Sequence, residues 1–250
     1  MSENQLMTFL KKAVISLNKH VSQSKFKQLI EIASINFDIA DIYTSEHAEK
    51  INTPILFLAM SSHSSCLAAY VMALIGHPSA TTSVSRTALE AALYAYGISR
   101  DPVLLEKWKN PPRNRGGLIN ASGCIKLLKN SHPQLVCEVD NLYRDLISMG
   151  AHPNRSSLFR TSNVDKHLFE DDHVYIDAPL FAVDVIMEPG SKSIVQLTIA
   201  ITVHAYALHI CALADEKHPK ASEIITKSKH VQQQLMNLLK ANQENPGFDD

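Results

Sequence analysis

Two segments of the chain carry residues whose types and spacing suit chemistry. In Thr81–Gly97, Arg86 and Glu90 stand four positions apart, which is about one helical turn, so a basic and an acidic side chain share one face. In Asn141–Ser157, His152 supplies the side chain best suited to move protons near neutral pH. Together these residues suit acid–base chemistry on a polar ligand, or binding of one.

The first segment predicts an amphipathic helix. Its polar face carries Ser83, Arg86, Thr87, Glu90 and Tyr94, and its apolar face carries Val84, Ala88, Leu89, Ala91, Ala92, Ala95 and Tyr96. A charged pair in so apolar a helix needs partners, because an unpaired buried charge is costly. Arg86 and Glu90 therefore have two interpretations: an ion pair that fixes the packing of a bundle, or an acid and a base that face a ligand.

The second segment predicts a helix that ends near Gly150, followed by a turn that presents His152. Arg144 lies two turns before the histidine and is a candidate contact for phosphate. Further candidates for substrate binding around the turn are Tyr143, Asn154 and Arg155. A histidine just past a helix end also serves as a C-terminal cap that interacts with the helix dipole, so a structural role stays open.

A basic segment separates these two regions. Between Glu106 and Glu138 the sequence has no acidic residue but includes Lys107, Lys109, Arg113, Arg115, Lys126 and Lys129. Arg113 and Arg115 lie in a loop rich in proline and glycine, where they are candidate contacts for a nucleic-acid backbone. The net charge of −1 gives no attraction to nucleic acid by the molecule as a whole, so a merely solvated loop is the alternative.

Composition and periodicity predict an all-α, multi-helix bundle formed by a single domain over residues 1–250. Glycine is scarce, at 8 of 250 residues, which disfavours turn-rich β folds. Capping residues and apolar periodicity predict helices at about 2–20, 24–46, 53–75, 81–97, 101–108, 119–129, 133–148, 193–214 and 220–241. A small irregular or β-hairpin excursion is expected around residues 156–193, where the segment HVYIDAPLFAVDVI alternates partially and Pro189-Gly190 predicts a turn.

The sequence lacks the residue patterns of several classes of functional site. The four cysteines form no C-x-x-C pair, and a di-iron centre needs two Glu-x-x-His motifs where the chain has one, Glu170–His173. No dinucleotide-binding, Walker or nucleophile-elbow motif occurs. We therefore expect no metal and no cofactor, and we interpret His204 and His209 as histidines of the core or its boundary.

The expected location is the cytoplasm, without a membrane partner. The first residues show no basic region followed by an apolar core, so no secretion signal is apparent. Two apolar segments, 54–75 and 197–213, contain serines or histidines that interrupt them, and we interpret both as buried helices of a soluble bundle.

The motif R-T-x-x-E at Arg86–Glu90, followed by YRDLISMGAHPN from Tyr143 to Asn154, resembles an uncharacterised family of bacterial all-helical proteins. That family is similar to the HEPN superfamily, compact helical bundles of toxin–antitoxin and phage-defence systems. The resemblance implies an HEPN-like RNA-binding protein or metal-independent endoribonuclease. It also implies a homodimer, with RNA, a cognate antitoxin or another protein as partner.

The resemblance further implies roles for individual residues. Arg144 would stabilise the phosphate and His152 would act as acid or base while the RNA 2′-hydroxyl attacks, with both residues contributed from each of two subunits. Seven residues separate Arg144 from His152, more than in the family motif, and Gly150 interrupts the helix. Arg86 and Glu90 are therefore the alternative neighbours of His152.

The second hypothesis is a non-catalytic helical scaffold, or a regulatory module that binds a partner. In it Arg86, Glu90 and His152 form a structural polar cluster. Whether the chain is an enzyme stays open at this stage.

Overall fold

The computed structural model describes residues 52–75, 77–110, 119–148 and 190–213. It also describes isolated helical positions between residues 7 and 34 and between residues 222 and 237. Almost all described residues are helical and none lies in a strand, which confirms the all-α prediction for this part of the chain. Residues 156–189 of the predicted excursion lie outside the described residues. Residues 190–193 are helical, so the helix predicted to start at about 193 begins three residues earlier.

Six helices occupy the continuous ranges. They are α1 (Thr53–Leu74), α2 (Pro78–Arg100), α3 (Pro102–Lys109), α4 (Ala121–Ser131), α5 (Pro133–Leu146) and α6 (Gly190–Leu213).

The helix starts follow the proline and capping signals. Proline stands in the first turn of α1, α2, α3 and α5, where its missing N–H is not needed for a helical hydrogen bond. The Asp101 carboxylate accepts a hydrogen bond from the Val103 amide at 2.8 Å at the start of α3. At the start of α4, the Asn120 side-chain oxygen accepts one from the Gly123 amide at 2.8 Å.

Helix α2 is longer than the pattern predicted, because Gly97 does not end it. A Cβ added at Gly97 would lie 2.6 Å from the Cys124 sulfur of α4. Glycine therefore allows α4 to approach the backbone of α2 at this point. The residue marks close packing of two helices, which sequence reading interpreted as a helix end.

The core forms where α1, α2 and α6 meet, and α4 and α5 pack against the same α2. Every residue of α6 from Thr198 to Ala212 is buried, so α6 is a central helix with no solvent face over that range. Residues from α2, α4 and α5 complete the core, among them Leu93, Tyr96, Leu128 and Leu146. The arrangement fixes the spacing between α2 and α5, which carry the candidate site.

Helix α1 differs from the sequence interpretation. The prediction of a buried helix is confirmed for α6, whereas α1 is buried only along the face that packs on α2 and α6, and 22% of its most apolar window is buried. By length and composition α1 is able to cross a membrane, a test that core helices of soluble proteins also pass. The predicted cytoplasmic location stays a prediction.

Candidate functional site

Arg86 and Glu90 form an ion pair on the partly exposed face of α2. The Arg86 Nε donates to the Glu90 Oε1 at 2.9 Å, and the side chains are 20% and 23% exposed. The predicted division of this helix is confirmed, since Ala88, Leu89 and Ala92 on the other face are completely buried. The pair therefore lies at the edge of the core.

Tyr143 of α5 closes this pair into a three-residue cluster. Its hydroxyl donates to the Glu90 Oε1 at 2.8 Å, and the Arg86 Nη2 donates to the Tyr143 hydroxyl at 3.4 Å. The Arg86 guanidinium carbon lies 5.6 Å from the centre of the Tyr143 ring, within reach of a cation–π interaction. We call Arg86, Glu90 and Tyr143 the polar cluster.

The electrostatics of the polar cluster keep Arg86 charged and Tyr143 neutral. Burial, and next the hydrogen bond to the Glu90 carboxylate, raise the pKa of Tyr143. Burial by itself would lower the pKa of Arg86, but the hydrogen bond and charge of Glu90 outweigh it and raise that pKa. Burial, then the charge of Glu90, raises the pKa of neighbouring Tyr94 to about 12. Near neutral pH Arg86 is thus a cation and Tyr143 a neutral phenol.

Arg144 points away from the polar cluster. Its side chain is 74% exposed and pairs with Asp140 on the same helix at 2.7 Å. Such an exposed pair contributes well under 1 kcal/mol in typical cases, about 0.3–0.5 kcal/mol for this spacing. Of the predicted site residues on described helices, the structure brings Arg86, Glu90 and Tyr143 together and leaves Arg144 apart.

The remaining predicted site residues lie outside the described residues. They are His152, Asn154 and Arg155 of the predicted turn, and Arg113 and Arg115 of the basic loop. Their predicted roles stay predictions.

A second polar grouping, which the sequence analysis missed, joins α5 to α6. His204 is completely buried, as predicted for a core histidine; its Nδ1 lies 2.7 Å from the Ala200 carbonyl oxygen and its Nε2 lies 2.9 Å from the Glu138 Oε2. Both partners are acceptors when Glu138 is ionised, so two hydrogen bonds need two ring protons, or one ring proton and a protonated Glu138. Glu138 lies beside the buried Leu135 and Val139 of α5. An acidic residue at such a position in the sequence is a signal for a buried polar partner.

A cavity of about 360 Å³ lies beside this grouping. Glu138 and Gln134 line it from α5, and Cys211 lines it from α6. Lys229 and Gln233 line it from the C-terminal helical positions. The cavity has polar groups of both signs on an otherwise apolar wall, which by size is enough for a small ligand.

A third polar grouping lies between α1 and α6. His63 Nδ1 and the Tyr206 hydroxyl are hydrogen-bond partners, and the rings of Tyr206 and His209 are 5.3 Å apart. Burial, then the nearby His63, lowers the pKa of His209 to about 3. The His209 Nε2 is buried without a hydrogen-bond partner among the described residues. This histidine is neutral at physiological pH and suited to the core.

No group of three or more histidine, cysteine, aspartate or glutamate side chains in the described ranges is placed to hold a metal ion. All four cysteines are free thiols, and burial raises the pKa of Cys66 and of Cys124 to about 12. Such thiols are poor nucleophiles, because the reactive form is the thiolate.

Comparison of the chain with protein-family models, with curated proteins and with solved structures gave no match. The resemblance to HEPN proteins therefore depends on the two motifs alone.

Proposed function

We propose that this protein is a non-catalytic helical scaffold that binds a partner, in which the polar cluster joins α2 to α5. The observation that best supports the proposal is that the Glu90 Oε1 accepts two hydrogen bonds. That one oxygen accepts hydrogen bonds from both Arg86 and Tyr143, at 2.9 and 2.8 Å. A hydrogen bond to a charged group contributes about 1.5–3 kcal/mol, so redirecting either donor to a ligand is costly.

The partners of the arginines support the same proposal. Arg86 pairs with Glu90 and Arg144 pairs with Asp140. Arg100 donates to the Cys211 carbonyl at 3.1 Å. In the described ranges, each arginine thus has an intramolecular acceptor, whereas a ribonuclease of the HEPN type needs a guanidinium directed at phosphate.

RNA binding is the second candidate, because four lysines of the basic segment are exposed. Lys107 and Lys109 end α3, and Lys126 and Lys129 lie on α4. No acidic side chain within the described residues forms an ion pair with any of these four. They flank the loop that holds Arg113 and Arg115, and unpaired cations near a basic loop suit contacts to a phosphate backbone.

The catalytic form of the second candidate keeps the roles that the HEPN resemblance implies. His152 would act as acid or base and Arg144 would contact phosphate across a homodimer, without metal, in a toxin–antitoxin or phage-defence setting. Arg86 and Glu90 are the alternative neighbours of His152. Tyr143, Asn154 and Arg155 would contact the RNA.

One experiment separates the candidates. Purified wild type and His152→Ala are incubated with end-labelled tRNA and mixed RNA in EDTA. The scaffold proposal expects no cleavage by either protein. Cleavage by the wild type alone, with 2′,3′-cyclic phosphate ends, would overturn it in favour of the ribonuclease.

RNA binding without cleavage is tested by fluorescence anisotropy of labelled RNA at several salt concentrations. If the basic segment binds RNA, Lys107→Glu with Lys109→Glu weakens binding and reduces its salt dependence. Lys227→Glu is the matched control, because Lys227 is an exposed lysine already paired with Glu223. The scaffold proposal expects no binding beyond that of an unrelated protein of similar charge.

A further inference from the structure

Helix α1 carries an exposed apolar stripe. Phe57, Met60, Leu67 and Val71 are 58%, 57%, 48% and 47% exposed. With the exposed Ser64 between them, their positions are separated by three, four, three and four residues. This spacing places all five on one face of the helix, with the repeat that helices use when they pair along their length. We call these five residues the α1 stripe.

The α1 stripe is electrically neutral. The 22 residues of α1 include no aspartate, glutamate, lysine or arginine, and its one histidine, His63, hydrogen-bonds with Tyr206 in the core. A helix face without charge does not repel a copy of itself, and it offers nothing to a nucleic-acid backbone. The electrostatics therefore favour a neutral apolar partner, and another α1 stripe is such a surface.

The side-chain sizes also suit a copy of the same helix. If two α1 helices lie antiparallel with Ser64 facing Ser64, position 60 faces position 68 and position 67 faces position 61. Met60 then meets Ala68, Leu67 meets Ser61, and both small residues are exposed. In the same register Phe57 meets Val71, an apolar contact between two larger side chains. The pairing thus gives Met60 and Leu67 a small residue opposite them and adds an apolar contact at each end.

We propose that α1 is the self-association surface of this protein, pairing antiparallel with α1 of a second copy about a twofold axis at Ser64. The proposal rests on the proposed partner-binding function and names the partner as the same chain. It places the dimer interface on a different helix from the one that the HEPN resemblance implies, which would lie around Arg144.

The exposed area sets the strength of this dimer. The stripe and its small neighbours expose on the order of 500 Å² per protomer, so pairing would bury about 1,000 Å² in total, at the low end of specific interfaces. We therefore expect a weak, reversible dimer.

Sedimentation velocity over a dilution series tests the surface. The wild type is expected to be a reversible dimer, and Leu67→Glu is expected to raise the dissociation constant about 100-fold, because it places two buried carboxylates in the interface. Val103→Glu is the matched control, since Val103 is 60% exposed on α3, away from the stripe. Circular dichroism and thermal melting establish that both variants fold. A monomeric wild type across the series, or a dimer unaffected by Leu67→Glu, would overturn the proposal.

Disulfide crosslinking tests the orientation, in a Cys137→Ser background because Cys137 is the exposed thiol among the described residues. An equimolar mixture of Ser61→Cys and Leu67→Cys is expected to crosslink as a heterodimer, since these positions face each other. Ser61→Cys alone is expected not to crosslink, because its two copies would be offset by about 9 Å along the axis. Self-crosslinking of Ser61→Cys would indicate parallel pairing and overturn the antiparallel arrangement.

Flotation with phosphatidylcholine vesicles tests whether α1 binds a lipid bilayer instead of a second α1. The proposal expects the wild type to remain in the aqueous fraction. Vesicle binding that Leu67→Glu abolishes would overturn it, with a bilayer as the occupant of α1. All three measurements are independent of RNA cleavage, so failure of the dimer and failure of the scaffold function are distinguishable.

Discussion

Tyr143 on α5 donates its hydroxyl proton to Glu90 on α2 at 2.8 Å, across 53 positions of sequence. The same carboxylate oxygen holds Arg86. Tyr143 thus joins two helices of the bundle through Arg86 and Glu90, the basic and acidic side chains of the candidate site. The following predictions test this joint and the other buried polar groups.

Tyr143→Phe removes only the hydroxyl of the polar cluster. We expect the free energy of unfolding to fall by about 1.5–3 kcal/mol, because the Glu90 carboxylate loses a donor. Urea denaturation measures the change. Tyr94→Phe is the control: Tyr94 lies on the same face of α2, and no hydrogen bond of its hydroxyl depends on the polar cluster. If the two variants lose the same stability, Tyr143 does not stabilise the joint.

Gly97→Ala tests the close approach of α2 and α4. In an isolated helix this change stabilises by about 1 kcal/mol, but here the new Cβ would lie 2.6 Å from the Cys124 sulfur. We expect a net loss of about 1–3 kcal/mol of unfolding free energy from overpacking.

Cys124→Ala removes the sulfur that the Gly97 substitution would meet. In a double-mutant cycle, Gly97→Ala is expected to cost less in the Cys124→Ala background than in the wild type. Additive effects would show that the Cys124 sulfur does not limit the packing.

The lowered pKa of His209 is expected to reduce the free energy of unfolding in mild acid. Its pKa is about 3 in the folded state and 6.5 unperturbed, so the unfolded chain binds the proton more readily. The stability contribution is fully present above pH 6.5 and falls as the pH drops toward 3. Between pH 7 and pH 5 we expect this group alone to reduce the free energy of unfolding by about 2 kcal/mol.

Urea denaturation at several pH values checks the role of His209. His209→Leu is expected to flatten the pH dependence between pH 7 and pH 5 by about that amount. His230→Gln, which replaces an exposed histidine outside the core, is the control variant. A wild-type slope in His209→Leu would assign the acid sensitivity to other groups.

We expect two neutral substitutions of Glu138 to differ in their effect on stability. Glu138→Gln is expected to keep stability within about 1 kcal/mol, because an amide N–H donates to a neutral imidazole nitrogen. Glu138→Leu leaves the buried His204 Nε2 without a partner and is expected to cost about 1–3 kcal/mol. Thermal denaturation compares the two variants, and equal losses would show that the hydrogen bond to His204 contributes little.

Local signals predicted most of the helix positions, because they depend on neighbouring residues. Proline and capping side chains placed the starts of α1, α3 and α5 within two residues of those observed. The division of α2 into a polar and an apolar face followed from its 3.6-residue period. The predicted helix end at Gly97 was wrong. Glycine stands there because Cys124 of α4 packs against the backbone of α2 at this point.

Pairings between distant residues were beyond the sequence. Nothing local links Tyr143 to Glu90, and the expectation that Tyr143 flanks His152 as a ligand contact missed this partner. The exposed face of α1 was also missed, since the helix is apolar on every side and its pattern gives no direction of burial. Only the structure distinguishes the stripe of Phe57 and Leu67 from the buried face of Cys66 and Ala69.

The central place of α6 has a consequence during synthesis. Helix α6 begins 90 positions after α2 ends, yet it packs against both α1 and α2. At typical translation rates of about 5–20 residues per second, the ribosome needs roughly 5–20 s to make the intervening chain. Throughout that interval the inward faces of α1 and α2 lack their covering helix. We therefore expect the nascent polypeptide to expose these apolar faces until α6 has been made.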